Sequence, residues 1–106
     1  MRLTPEIIDF FKSELDQIFT NYKLYLFGSR TDDQKRGGDI DLLILADRRL
    51  TLKEKLHLKT EFYKKFGDQK IDIVSFTYIE DDPFKNYILD YAIKLAENTA
   101  QHNNHK

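Results

Sequence analysis

Two aspartates spaced one apart, Asp39-Ile40-Asp41, open an apolar run that continues to Ala46. In an extended strand alternate side chains share a face, so both carboxylates project one way while Ile40 and Leu42 turn into the protein. Carboxylates held side by side repel unless a cation lies between them, and hard oxygen donors suit Mg²⁺. A third acid, Asp72, sits inside another short apolar run, Lys-Ile-Asp-Ile-Val-Ser-Phe over 70–76. Upstream, Tyr25-Leu26-Phe27 ends in Gly28-Ser29, and a loop rich in glycine and charge, Arg30 to Gly38, leads into the aspartates. That order reads as strand, phosphate-gripping turn, then strand with metal ligands. If the strand bearing Asp72 pairs beside the one bearing Asp39 and Asp41, three carboxylates converge opposite the Gly28-Ser29 turn.

The elements that must position these residues are also legible. Thr4-Pro5 starts a helix, since the Thr hydroxyl can cap it and Pro is tolerated at its first position. Ile7, Ile8, Phe11, Leu15, Ile18 and Phe19 then recur at helical spacing to about Thr20. Lys23 to Phe27 is the first strand and Asp39 to Ala46 the second, whose unalternating Leu42-Leu43-Ile44-Leu45 run predicts a central strand covered on both faces. Thr51-Leu52-Lys53-Glu54 matches a capping box, opening a helix that Gly67 stops. Ile71 to Phe76 is the third strand. Asp82-Pro83 then opens a final helix, with Phe84, Ile88, Tyr91, Ala92 and Leu95 along its apolar side. The fold class this predicts is α/β (α+β): a small mixed three-stranded sheet flanked by helices. The first two strands, joined by a short polar connection, admit antiparallel pairing, and the helix between the second and third permits a parallel one.

Composition narrows the chemistry. At 106 residues there is room for one domain, expected over 1–100, with 101–106 a flexible polar tail. Seventeen basic and 18 acidic residues leave a formal net charge of −1, which argues against direct nucleic-acid binding. Without cysteine, disulfides, thiolate metal sites and thiol catalysis are excluded. No apolar run approaches the ~20 residues that span a bilayer, and no signal pattern opens the chain, so no membrane contact and a cytoplasmic location are expected. His57 and the lysines 53, 55, 59, 64 and 65 read as a solvated helix face. Tyr63, Tyr78, Tyr87 and Tyr91 read as core or partner surface.

Gly28-Ser29, nine residues, Asp39-Ile40-Asp41, then Asp72 on the next strand resembles the nucleotidyltransferase superfamily of DNA polymerase beta. Within it, a short chain with Gly-Ser-Arg and Asp-Ile-Asp-Leu is similar to the minimal nucleotidyltransferases, the MNT antitoxins of prokaryotic HEPN/MNT toxin–antitoxin systems. The resemblance covers about Leu24 to Phe76, with one residue fewer between Ser29 and Asp39 than is often described for MNT proteins. It implies that Gly28 and Ser29 bind the phosphates of a nucleoside triphosphate, and the residues themselves add Arg30 beside them as a cation for that charge. It implies further that Asp39 and Asp41 bind two Mg²⁺ ions, and that Asp72 completes one metal site and helps deprotonate the acceptor. Nucleotidyl transfer suits such a site, because two metals can stabilise both the attacking and the leaving oxygen. Lys35 and Arg36 are further loop cations available to pyrophosphate.

The implied activity is transfer of AMP from ATP to a hydroxyl of a partner protein, a tyrosine of a HEPN-type toxin, which makes the chain an antitoxin acting by AMPylation. Two other readings compete: a non-catalytic antitoxin that neutralises its partner by contact, and nucleotide transfer to a small molecule such as an aminoglycoside. The last usually needs an added acceptor-binding domain, for which a chain this short leaves little room.

Overall fold

The computed structural model describes residues 3–28, 39–67 and 69–99. The Thr4 hydroxyl accepts from the Ile7 amide at 3.3 Å and Pro5 takes the first helical position, so helix α1 runs Pro5–Ile18 and buries Ile7, Phe11 and Leu15. Strand β1 spans Tyr22–Phe27 and β2 spans Ile40–Ala46, with Asp39 just before it. Helix α2, Leu52–Phe66, carries the full capping box: the Glu54 amide donates to Thr51 Oγ1 at 3.0 Å, and the Thr51 amide to Glu54 Oε1 at 2.8 Å. It ends at Gly67, whose φ of 90° suits only glycine, and β3 follows over Ile71–Thr77.

The rest of the chain departs from the sequence expectation. Asp82 caps the last helix as foreseen, its carboxylate accepting from the amides of Phe84 and Lys85. That helix, α3, covers only Pro83–Leu89, and Ile93–Asn98 forms a fourth strand, β4. The expected three-stranded sheet is therefore four-stranded, in the order β3-β2-β1-β4. Spacing alone carried the helical reading on to Leu95, because Lys, Leu, Ala and Glu are all good helix formers. What decides otherwise is β1: without β4 its outer edge would present a row of unpaired backbone groups.

Strand β1 pairs antiparallel with both β2 and β4, and β2 pairs parallel with β3. One sheet face takes Tyr22, Leu24, Leu26, Ile40, Leu42, Ile44, Ile71 and Ile73 into the larger core cluster, beneath Phe11 of α1 and Leu58 and Phe62 of α2. Phe11 and Phe62 stack there at 5.6 Å between ring centres. The other face carries Phe27, Leu43, Leu45 and Phe76, covered by Ile88 of α3. The β2 run is thus buried on both sides, as its lack of alternation requires. Lys85 fixes α3 to the end of β3. Although buried, its ammonium donates to the carbonyls of Thr77, Tyr78 and Glu80 at 2.9, 2.7 and 2.7 Å, which uses all three of its donors.

Candidate active site

Alternation places Asp41 and Asp72 on the α3 side of the sheet, since their neighbours Ile40, Leu42, Ile71 and Ile73 belong to the opposite cluster. The parallel register sets Asp41 directly beside Asp72 on strands roughly 4.8 Å apart. Both are partly exposed. The antiparallel register sets Phe27 across from Asp41, so Gly28 turns away at the same corner. Gly28 adopts φ 75°, and a Cβ built there would lie 2.1 Å from Asp41 Oδ2. The turn therefore hugs the carboxylate, and its backbone comes within reach of whatever that carboxylate holds.

Asp39 stands one alternation before Asp41, opposite Lys70, where the Ile40 amide donates to the Lys70 carbonyl at 2.9 Å. Its carboxylate is 3.9 Å from the Lys70 ammonium, an exposed pair that sequence reasoning did not single out. Strand register thus gathers Asp39, Asp41 and Asp72 at one end of the sheet. Among the described residues, however, no three His, Cys, Asp or Glu side chains are grouped closely enough to hold a metal ion together. The convergence read from the sequence is reached by the backbone and not by all three side chains, with Asp39 drawn to Lys70. The donor set still fits a hard dication, being carboxylate oxygens with a close backbone turn beside them. Ser29, Arg30, Lys35 and Arg36 lie outside the described residues, as does the 101–106 tail.

Phe27 and Phe84 border this corner, their rings 6.4 Å apart and edge to face at 85°. Phe84, in the first turn of α3 and expected on its apolar side, is about half exposed, at 49%. The solvated reading of α2 fits its outer face: His57 is exposed, 3.4 Å from Glu14. The charged groove between α1 and α2, lined by Glu6, Asp9, Glu14, Glu61, Lys64 and Lys65, lies over the other sheet face, away from the aspartates. Among the described residues no helix is long and apolar enough to cross a membrane.

An antiparallel pair whose first strand closes at positive-φ Gly28, a parallel neighbour, and Asp41 and Asp72 in register at one end of the sheet fit the arrangement expected of a nucleotidyltransferase. Residues 6–101 match the polymerase beta nucleotidyltransferase family, and the chain belongs to that family. No curated protein matches it in sequence. Among solved structures it is similar to a toxin–antitoxin complex with AMP-PNP, at 23% identity and a TM-score of 0.67 over 90% of this chain and 76% of that one. A mutant of the toxin–antitoxin pair MntA-HpeT gives 23% and 0.66 over 92% and 74%. The MNT antitoxin complex with a tri-AMPylated HEPN toxin of Shewanella oneidensis gives 20% and 0.62 over 92% and 71%. At such identities the likeness is one of fold.

Proposed function

We propose that this chain is a Mg²⁺-dependent nucleotidyltransferase of the MNT antitoxin type, which moves AMP from ATP to a tyrosine hydroxyl of a HEPN-type toxin in the cytoplasm. The observation that carries this reading is Asp41 in register beside Asp72, with Gly28 folded against the Asp41 carboxylate. Family membership supports the reaction class, and the fold shared with the MNT partner of an AMPylated HEPN toxin supports the acceptor.

In this reaction the tyrosine oxygen bonds to the α-phosphorus as the α–β phosphoanhydride breaks and pyrophosphate leaves. Asp39 and Asp41 would ligate two Mg²⁺ ions, with Asp72 completing the one on the acceptor side. Bound Mg²⁺ supplies charge stabilisation to the attacking and leaving oxygens. Asp72 sits beside Asp41 and can orient the acceptor hydroxyl or take its proton. The Gly28 turn offers backbone amides to the triphosphate, with Ser29 and Arg30 as the polar groups that follow. The acceptor's own fold would supply the remaining wall of the cleft.

The test is to mix the chain with a candidate HEPN-type partner, ATP and Mg²⁺, and to weigh both chains. One or more AMP units on a partner tyrosine are expected, and none with Asp41→Asn or Asp72→Asn, both of which should melt like the wild type. If the partner's mass never changes, while wild type and Asp41→Asn silence it equally, the chain acts by contact and the enzymatic reading falls.

A further inference from the structure

We infer that Phe84 is the base platform of the nucleotide site, stacking against the heterocycle of a nucleoside triphosphate whose phosphates lie at the Gly28 corner. This rests on the nucleotide-binding reading above and adds to it the group that holds the base.

A single exposed apolar side chain is ordinary on a protein surface, and Leu52, Leu56 and Ile79 are instances here. Phe84 differs by its place. Its ring meets Phe27, the residue that precedes Gly28 and stands across from Asp41. Packing does not account for its exposure either, because α3 is held to the sheet by fully buried Ile88 and by the Lys85 ammonium. An edge-to-face contact with Phe27 covers at most one face of the Phe84 ring, and about half of the residue stays exposed to a ligand.

The surroundings suit a nucleotide. The proposed phosphate and metal groups stand at Gly28, Asp41 and Asp72, and the apolar ring begins beside them, against Phe27, the residue before Gly28 and across from Asp41. Nucleotides divide in the same way, with charge at one end and a flat π-system at the other. Every base has a π-face, so such a platform adds affinity without choosing sharply among bases, and favours the larger purines through contact area. Its mounting is firm, since Asp82 caps the helix at Phe84 and the following residue, Lys85, donates to the Thr77 carbonyl at the end of β3.

The chain contains no tryptophan, so Phe84→Trp introduces a lone fluorophore at the proposed platform. With Mg²⁺ present, ATP should quench that indole and inorganic tripolyphosphate should not. Phe84→Leu, which keeps apolar cover over Phe27, and Phe84→Ala should each weaken ATP binding in calorimetry by about tenfold. Both should leave tripolyphosphate affinity unchanged, and melting curves confirm that each variant is folded. Wild-type ATP affinity in the Leu and Ala variants, or equal losses of ATP and tripolyphosphate, would overturn the platform while leaving the nucleotide site standing. So would a loss confined to partner binding, which would make Phe84 a protein-docking residue. A wild-type chain that binds neither ligand removes the nucleotide site and the platform together.

Discussion

Gly28 has no room for a side chain, and the reason is Asp41. From sequence, a glycine at the end of a strand signals close approach, and the approach expected was to phosphate. What it approaches first is a carboxylate of its own chain, which becomes visible only when the β1–β2 register puts Phe27 across from Asp41. An L-residue at φ 75° is strained by roughly 1–2 kcal/mol, and its Cβ would also push the carboxylate aside. Gly28→Ala should therefore lower the melting temperature by about 5 °C or more and cut AMP transfer by at least about tenfold. In an Asp41→Ala background most of the collision is gone, so the same change should cost only the backbone strain. Melting both pairs of proteins checks this. Equal losses in the two backgrounds would mean that the Asp41 carboxylate yields freely and is not held by the turn.

At the scale of elements, the legible parts were those whose ends are written locally. Thr4-Pro5 and the Thr51/Glu54 box set the starts of α1 and α2, and Gly67 sets a stop, because each acts through bonds within a few residues. Strand β4 was not legible, because its reason lies across the sheet in the edge of β1, and the chain from Asp90 onward gives no local sign that the helix has ended. The platform at Phe84 was hidden likewise, since a Phe after Asp-Pro looks the same whether it faces core or cleft. The α2 box also makes a pH prediction. Hydrogen bonds from Arg48 and the Thr51 amide hold the Glu54 carboxyl at about 2, down from its ordinary 4.5. Since the folded value lies below the unfolded one, the unfolded chain takes up the proton first. Stability is complete above about pH 4.5 and drains as pH falls towards 2. Glu54→Gln keeps the capping reach but loses the charge. It should cost about 1 kcal/mol at neutral pH, discounted for the solvent around this pair, and flatten the acid slope of urea-unfolding free energy in that window. The remaining slope belongs partly to Glu80, which Arg49 holds down in the same way. Parallel curves for wild type and Glu54→Gln would show that the pair does not drive acid unfolding.

For the whole molecule, the sheet separates two unequal cores, and the proposed site belongs to the smaller. The α1–α2 side provides most of the buried apolar packing, with Phe11, Phe62 and Leu15 against β1, β2 and β3. The α3 side has fewer buried residues, but it carries Phe27, Phe84 and the two register-paired aspartates. Stability and activity should therefore part company when each core is loosened by a similar amount. Phe62→Leu on the larger side should cost about 1–2 kcal/mol, and Ile88→Val on the smaller about 0.5–1.5 kcal/mol. Both are small enough to leave a folded chain. Well below either melting temperature, Phe62→Leu should transfer AMP at the wild-type rate per folded molecule, because the hydrogen-bonded sheet stands between the loosened packing on one face and the aspartates on the other. Ile88→Val should transfer more slowly and bind ATP more weakly, since Ile88 is the buried apolar contact by which α3, with Phe84 at its start, is seated on the sheet. Paired melting and AMP-incorporation measurements decide it. Full activity in Ile88→Val would detach α3 from the site, and a slow but folded Phe62→Leu would show that the sheet transmits changes from one core to the other.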